Sequence, residues 1–349
     1  MNAEQQRLAE NKSPEAPWHR WGPYLSERAW GTVREDYSAN GDAWNFFPHD
    51  HARSRVYRWN EDGIGGICDR KQRLCFAFAF WNERDAFLKE RFFGLTGPQG
   101  NHGEDVKEVY WYTDNTPSHS MMRMVYRYPQ LAFPYEQLVA ENARRSKFEG
   151  EYELWDTGLF DESRFFEIEI EYAKAGPNDI LIRATATNCG PDPAPLHVLP
   201  TLWFRNTWNW GYDIARPSLQ EAALSDEKTS IIEARESQLG LYRLFCEGPE
   251  RLLFTENESN LSRLWDVANH SAHVKDAIND CIVGNNLDLV NPNRVGTKAA
   301  AHYRLVLQPN KSFTIRLRLC AEQASSEGGP FADFDALIVR RSLETAVVE

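Results

Sequence analysis

The feature that most constrains the fold is an alternation of apolar and polar side chains in many short segments. Four apolar side chains share one face between residues 166 and 172, and glutamates separate them: Phe166, Ile168, Ile170 and Tyr172. The segment 311–322 repeats the pattern, with an apolar face of Phe313, Ile315, Leu317 and Leu319. A period of two puts successive side chains on opposite faces of a β-strand, one buried and one wet. The pattern therefore predicts antiparallel strands.

Strand-like runs recur from Trp18 onwards, and turn-forming residues such as "EDGIGG" (61–66) separate them. Helical patterns are few, at 134–150 and, less clearly, at 270–284. We predict strands in the segments 54–60, 74–82, 107–114, 118–129, 164–176, 179–190, 196–208, 229–235, 240–248, 251–257, 299–309 and 311–322. So many strands in 349 residues predict a mainly all-β fold, a large antiparallel β-sandwich with a few short helices.

The chain divides into three predicted parts. Residues 1–16 read as a polar flexible N-terminal arm, and residues 17–325 as the β-sandwich domain. Residues 326–349 read as the start of a linker helix with an apolar stripe at helical spacing: Phe331, Phe334, Leu337 and Ile338. An apolar stripe needs a surface to pack on, so this helix is predicted to lead into another domain.

Charge and composition exclude several classes of protein. A net charge of −12 disfavours a phosphate backbone as partner, so no nucleic-acid partner is predicted. The sequence has neither an apolar run of membrane-spanning length nor a signal-peptide pattern, and we expect a cytoplasmic protein with no membrane partner. The six cysteines form no C-x-x-C pair, which favours reduced thiols over disulfides or a zinc site.

Aromatic residues supply the candidate sugar contacts. The chain contains 12 Trp, 13 Tyr and 19 Phe, which suits either a large core or flat faces that pack on pyranose rings. The block 21–59 combines tryptophans with carboxylates, and its candidate substrate-binding residues are Trp30, Glu35, Asp36 and Trp44. Hydrogen bonding to sugar hydroxyls is favoured over catalysis for these carboxylates, and ion pairing with neighbouring arginines is the alternative.

A second aromatic block lies at 199–213. Trp208 and Trp210 alternate with Asn209, so both indoles could project from one side of a strand or its end. Rings beside amide donors form a candidate sugar platform, and core packing is an equal alternative.

The triplet His49–Asp50–His51 raises the possibility of a metal site. Two histidines at i and i+2 on a strand point to one face, and His102, Glu104 or Asp105 could add a third ligand. No glycine-framed double motif surrounds them, and turn capping or ion pairs with Arg53 and Arg55 are favoured. We therefore predict no metal and no cofactor, and keep the three histidines as candidates.

Three long blocks carry a family resemblance. The segments 21–69 ("WGPYLSERAWGTVREDYS" to "GDAWNFFPHDHARSRVYRWNEDGIGGICD"), 88–108 ("LKERFFGLTGPQGNHGEDVKE") and 196–208 ("LHVLPTLWFRNTW") are similar to the N-terminal region of large bacterial glucosidases of glycoside hydrolase family 63. These enzymes are relatives of the processing glucosidase that trims N-glycans. The resemblance extends from about Trp18 to the end of the chain.

The resemblance implies an N-terminal β-sandwich, a helical linker and an (α/α)6 barrel that carries the active site. Enzymes of the family hydrolyse α-glucosidic bonds with inversion of configuration. They use one carboxyl group as general acid and another as general base, and both lie in the barrel. This sequence contains no barrel, so no catalytic residue is carried over and the chain alone is expected to be inactive. The implied partners are an oligosaccharide or α-glucoside and a barrel in cis or in trans. A stand-alone carbohydrate-binding protein and a histidine-ligated metal-dependent enzyme are the alternatives.

Overall fold

Two antiparallel sheets packed face to face form the body of the protein. The computed structural model describes residues 1–27, 46–59, 62–212, 215–223, 228–322 and 328–345. The strands are β1 Trp21–Pro23, β2 Ile64–Asp69, β3 Leu74–Trp81, β4 Gly94–Leu95, β5 Asp105–Val106, β6 Tyr110–Asn115, β7 Met121–Pro129, β8 Phe165–Gly176, β9 Asp179–Asn188, β10 Ala194–Phe204, β11 Ser218–Glu221, β12 Thr229–Glu236, β13 Gly240–Glu247, β14 Arg251–Thr255, β15 Val295–Gly296, β16 Lys298–Leu307 and β17 Ser312–Ala321. The predicted all-β sandwich is confirmed.

The strand orders define the two layers. A six-stranded sheet runs β1-β2-β3-β10-β16-β14, and a nine-stranded sheet runs β15-β11-β12-β13-β17-β9-β8-β7-β6. Strands β4 and β5 pair separately as a short ribbon. The main core lies between the two large sheets, where aromatic side chains of β3 meet apolar side chains of β7, β8 and β9. Burial of this shared apolar surface is the main force that holds the layers together.

The alternation read from the sequence sets which faces are buried. On β8 the four predicted apolar residues are all buried in the inter-sheet core. On β17 three of the four are buried, whereas Phe313 is 44% exposed. Glu171 belongs to the polar face of β8 and is nevertheless buried, because it takes ion pairs from Arg123 at 3.1 Å and Arg183 at 2.5 Å.

Helices decorate the outside of the sandwich. Five are described: α1 Ala3–Glu10, α2 Tyr135–Arg144, α3 Leu261–Trp265, α4 Ala277–Val283 and α5 Phe334–Thr345. Helices α2 and α4 fall within the two segments with helical patterns. Ile278 and Cys281 of α4 cover the outer face of the six-stranded sheet at Leu199. None of the described helices combines the length and apolar character needed to cross a membrane.

Two predictions for the chain ends differ from the structure. The segment 1–16, predicted as a flexible arm, contains α1, whose Glu4 and Arg7 are buried. Glu4 accepts hydrogen bonds from the backbone N–H of Ser118 at 2.5 Å and the hydroxyl of Ser120 at 3.0 Å. Arg7 also pairs with Glu344 of α5. These buried contacts hold α1 against the sandwich.

The apolar stripe of α5 packs on this chain's own sandwich. Phe334, Leu337 and Ile338 are buried against Met121 of β7 and its cross-strand neighbours on β8 and β9. The surface that the stripe needs is therefore supplied by the outer face of the nine-stranded sheet. The helical periodicity was predicted correctly, and the packing partner was not.

The predicted strand at 54–60 is wrong for the described residues of that segment, which form turns. Backbone groups here bond to side chains and loops rather than to a neighbouring strand. The N–H of Val56 donates to the hydroxyl of Ser259 at 2.8 Å. The ammonium of Lys275 donates to the carbonyls of Ala52 at 2.8 Å and Arg55 at 3.0 Å. The segment thus becomes a wall of the site described next.

Candidate functional site

A groove of about 720 Å³ opens at one end of the six-stranded sheet. Strands β10 and β14 both run antiparallel to β16 and therefore parallel to each other. Their carboxyl ends, Phe204 and Thr255, lead into the loops 205–212 and 256–261 that form two walls. The third wall is the segment 46–58. We call this the Trp210 groove; its described lining is Phe46, Phe47, Arg55, Val56, Tyr57, Arg58, Asn206, Asn209, Trp210, Tyr212, Glu258, Ser259, Leu261 and His270.

Buried amides fix the two loops against each other. The side-chain amide of Asn206 donates to the carbonyl of Asn257 at 2.8 Å, and the amide of Asn257 donates to the carbonyl of Phe204 at 2.9 Å. The backbone N–H of Asn257 donates to the Thr297 hydroxyl at 2.8 Å. Loops held by satisfied buried hydrogen bonds present their exposed side chains in a defined geometry.

Trp208 and Trp210 lie on a short 3₁₀ turn, Trp208–Trp210, rather than on a strand. With about three residues per turn, positions i and i+2 point in different directions. Gly211 ends the turn with a φ of 82°, a left-handed conformation that glycine adopts without strain. The two indoles therefore have different environments.

Trp208 is a supporting residue. Its indole N–H donates to Oε1 of Glu258 at 3.1 Å, and the guanidinium of Arg216 lies 5.3 Å from its ring centroid. The ring is partly buried and packs against the inter-sheet core. Core packing, one of the two alternatives read from the sequence, describes Trp208 better than a sugar platform does.

Trp210 faces the groove and is 36% exposed. Two guanidinium groups approach its ring, Arg58 at 5.2 Å and Arg205 at 5.0 Å from the centroid. The same two arginines contact the ring of Trp59, at 5.5 Å and 4.7 Å. Arg205 Nε donates to the backbone carbonyl of Arg58 at 2.9 Å, which fixes the two arginines relative to each other. We call these four residues the Arg–Trp cluster.

The remaining wall offers an aromatic face and several hydrogen-bonding groups. Tyr212 is 68% exposed at the mouth of the groove. Asn209, Ser259 and His270 line the floor and sides. Flat rings beside amide, hydroxyl and imidazole groups are the set that a polyhydroxylated ligand requires.

Glu258 is the carboxylate among the described lining residues, and it is already engaged. It is 4% exposed, accepts from the indole of Trp208, and pairs with Arg216 at 2.9 Å. Inverting glycoside hydrolysis needs two carboxyl groups about 6.5–9.5 Å apart, one on each side of the bond. The described lining of the groove thus has groups for binding a sugar, and does not have this pair.

Four candidate residues from the first block lie outside the described residues: Trp30, Glu35, Asp36 and Trp44.

The candidate metal ligands are arranged differently from the prediction. His49 and His51 lie on a 3₁₀ turn, His49–His51, and not on the strand that the metal-site alternative requires. Asp50 pairs with Arg53 at 2.9 Å, which agrees with the favoured alternative. Burial and the charges of Lys89 and Arg91 hold the pKa of His49 well below its usual value. His102 has its Nε2 atom 2.9 Å from the carbonyl oxygen of Glu149.

Among the described residues, the donor groups close enough to share a cation are Asp105, Glu151 and Glu153. The ammonium of Lys107 already occupies their centre, at 2.7, 2.6 and 2.9 Å from the three carboxylates. Burial alone would lower the pKa of Lys107, but these hydrogen bonds raise it above its usual value. The cluster is therefore an internal ion-pair network.

A second cleft of about 610 Å³ lies beside α2, and its walls are largely aromatic: Phe87, Phe93, Phe133 and Tyr135. Beneath it, the buried ammonium of Lys89 lies 3.0 Å from Glu108 and 3.8 Å from Asp85. Burial raises the pKa of Glu108. Both of these carboxylates are fully enclosed and do not reach a ligand in the cleft; the exposed carboxylates among its described lining residues are Asp50 and Glu136.

Trp210 was a candidate from the sequence and lines the groove, whereas several of its neighbours were not candidates. Arg58, Arg205 and Tyr212 were not among the candidates. The available signal was local: an arginine stands next to Trp59 and another precedes Trp208 by three positions. What the sequence alone does not reveal is that the two segments, almost 150 residues apart, meet at one groove.

No family model matches the chain. The Saccharomyces cerevisiae protein YMR196W, which is described as uncharacterized, is 42% identical over 360 residues. The match covers 93% of this chain and 33% of that protein. The chain thus spans about a third of the length of the curated relative it matches.

Two solved structures give distant similarities. A polysaccharide lyase has 13% identity and a TM-score of 0.32, covering 77% of this chain and 28% of that chain. A putative aldose 1-epimerase from Escherichia coli K12 has 9% identity and a TM-score of 0.27, covering 60% and 67% respectively. At these scores neither similarity carries an argument about this chain.

Proposed function

We propose that this chain is the β-sandwich part of a larger glucosidase of the glycoside hydrolase family 63 type, and that the Trp210 groove binds part of its saccharide substrate. The observation that carries the proposal is the groove itself, where Trp210 and Tyr212 stand beside Asn209, Ser259 and His270. The three sequence blocks that resemble the family support it as well. Two of them reach the groove, through residues 46–58 and through Asn206.

The groove is a binding element in this proposal, and catalysis belongs to a barrel in cis or in trans. Its described carboxylate, Glu258, is held by Trp208 and Arg216, so it is neither a free base nor paired with a second acid across a scissile bond. The yeast relative extends over about three times the matched length, which leaves room for a further domain in a protein of this kind.

The test is saccharide binding by the isolated chain. Intrinsic tryptophan fluorescence and calorimetry would follow titration with maltotriose and longer α-glucans. Trp210→Ala should weaken binding about tenfold or more, because it removes an aromatic face of the groove and the ring against which Arg58 lies. Trp155→Ala is the matched control, since Trp155 is half exposed on a separate surface, where its ring contacts Phe160 at a tilted angle.

Hydrolysis measured in the same samples separates the proposal from its rivals. The isolated chain should release no glucose from an α-glucoside. Release of glucose by the chain alone would contradict the assignment of catalysis to a barrel. Absence of saccharide binding, or equal losses in the Trp210 and Trp155 variants, would remove the groove from the proposal.

A stand-alone carbohydrate-binding protein is the second candidate, and the same groove favours it. The two candidates differ when a barrel protein is present. If the chain supports a glucosidase, it should form a stable complex with its barrel and alter the KM of hydrolysis. A chain that binds sugar but associates with no barrel would be the stand-alone protein.

A further inference from the structure

We propose that the saccharide bound in the Trp210 groove is anionic, and that Arg58 recognises its carboxylate or phosphate group. This inference rests on the proposed function, because it specifies the ligand of the same groove. The groove differs in charge from the chain as a whole. The chain as a whole carries −12, whereas the described charged residues that line the groove are Arg55, Arg58 and Glu258.

Glu258, the carboxylate among the described lining residues of the groove, is not an ion-pair partner of Arg58. Glu258 is 4% exposed and is held by Arg216 at 2.9 Å and by the indole N–H of Trp208 at 3.1 Å. Arg216 also pairs with Glu256 at 2.8 Å, so these charges form a separate, satisfied group. Among the described residues, no carboxylate lies within ion-pair distance of the Arg58 guanidinium, which is exposed to solvent.

The Arg–Trp cluster holds this cation in place without neutralising it. Arg58 lies against the rings of Trp59 and Trp210, and Arg205 fixes the Arg58 backbone through its carbonyl. A guanidinium stacked on an indole keeps the N–H groups at its edge available for a carboxylate or phosphate. Such groups bind an anion in a bidentate manner, and prior immobilisation reduces the entropic cost of binding.

The position of the cluster explains why the ligand would be a sugar as well as an anion. Arg58 and Trp210 share the groove with Tyr212 and Asn209, which suit the ring and hydroxyls of a pyranose. A ligand that carries both features, a sugar acid or a sugar phosphate, would engage both sides of the groove. A neutral sugar would leave the stacked cation without a partner.

The two arginines near Trp210 also determine which aromatic ring of the groove a sugar would contact. Because Arg58 and Arg205 already lie near this ring, its role is partly to orient cations. The exposed ring of Tyr212 is then the better surface for direct contact with the pyranose.

The experiment compares glucose, glucuronate, glucose 6-phosphate and inorganic phosphate by calorimetry on the intact chain, at low and at high NaCl. At low salt, one or both anionic sugars should bind about tenfold more tightly than glucose, and the preference should shrink at high salt. The stronger of the two identifies carboxylate or phosphate as the anion. Inorganic phosphate should bind more weakly than the sugar phosphate.

Variants assign the preference to Arg58. Arg58→Gln should bring anionic and neutral sugars to nearly equal affinity, and Arg58→Lys should retain part of the preference because it keeps the charge without the fork. Arg84→Gln is the matched control, because Arg84 is an exposed arginine just beyond β3, at the end of the strand opposite the groove. Because Arg58 is exposed, we expect each variant to fold, and circular dichroism would verify this.

Three results would overturn the inference. Equal binding of glucose and both anionic sugars, unaffected by Arg58→Gln, would overturn it and leave the proposed function intact. Inorganic phosphate binding as tightly as glucose 6-phosphate would show that no sugar is recognised together with the anion. No binding of any saccharide, maltotriose included, would overturn the proposed function together with this inference.

Discussion

Nδ1 of His197 lies 2.9 Å from Nε2 of His302, and both imidazoles are buried on the outer face of the six-stranded sheet. Glu83 Oε1 is 3.0 Å from Nε2 of His197. A carboxylate can only accept, so Nε2 of His197 carries the proton and its Nδ1 accepts from Nε2–H of His302. Nδ1 of His302 is then unprotonated and has no hydrogen-bond partner among the residues that the structure describes.

This pair predicts how stability depends on pH. Burial and the neighbouring His197 lower the pKa of His302 to about 4, and burial also lowers the pKa of His197. Between pH 6.5 and pH 4 the unfolded chain therefore binds more protons than the folded chain. Stability should be fully present above pH 6.5 and should fall by about 3 kcal/mol as the pH drops to 4.

Urea unfolding at a series of pH values measures this effect. His302→Gln should reduce the loss of stability between pH 6.5 and pH 4 by about 3 kcal/mol and leave the part that other buried histidines such as His49 and His119 contribute, whereas His102→Gln, at an exposed histidine, is the control. Glu250, Arg251 and Arg304 also face the pair and are present in both variants. An unaltered pH dependence in His302→Gln would contradict the lowered pKa of His302.

The start of α5 is held by a buried ion pair, which predicts a large loss on its disruption. Arg318 contacts Asp179 through two hydrogen bonds, at 2.7 and 2.6 Å, and also reaches Asp333 at 2.7 Å. Asp179→Asn should lower the free energy of unfolding by about 3 kcal/mol, because it leaves the guanidinium buried without its main counter-charge. Asp333→Asn is the control, and its half-exposed pair should cost less than about 1 kcal/mol. Similar losses in chemical denaturation would show that burial does not set this difference.

The Lys107 network predicts a gain of cation binding. Lys107→Met should leave Asp105, Glu151 and Glu153 close together without their ammonium, and should destabilise the protein by about 1 kcal/mol, because the three carboxylates are partly exposed and stay solvated. Oxygen ligands in this arrangement suit Ca²⁺, so millimolar Ca²⁺ should raise the Tm of the variant and leave the native protein unchanged. Lys147→Met, at an exposed lysine, is the control. A Ca²⁺ response of the native protein would contradict the network as described.

The buried contacts of α1 predict that the first residues contribute to stability. Glu4→Gln weakens the charge-assisted hydrogen bonds from Ser118 and Ser120 and the ion pair with Arg7. We expect a loss of about 2 kcal/mol and faster proteolysis before Trp18. Glu15→Gln, at an exposed position, should have neither effect. If the two variants behave alike, α1 does not depend on Glu4 for its attachment.

The fold could be predicted largely from local pattern, and the site only in part. The buried face of β8 can be predicted without knowledge of distant residues, because the alternation within its own sequence shows which face is apolar. The position of α5 could not be predicted in this way, since its stripe shows that a partner exists and not which surface it is. The orientation of His49 and His51 could not be predicted for a related reason. Residues at i and i+2 share one face of a strand but not of a 3₁₀ turn, and the spacing alone does not show which of the two forms. Trp210 was identified by composition, but the nearness of Arg58 depends on a fold that joins distant segments.

The order of strands in the six-stranded sheet has a consequence for how the protein is made. β10 lies between β3 and β16, so Leu202 pairs with Phe76 and Thr201 with Ala300. These partners are 126 and 99 residues apart along the chain, and contacts of such long range make folding slow. During synthesis the edge of β10 that does not pair with β3 has no partner until β16 leaves the ribosome. For that interval the nascent chain exposes an unpaired apolar edge, so we expect its yield to depend on chaperones and on the rate of translation.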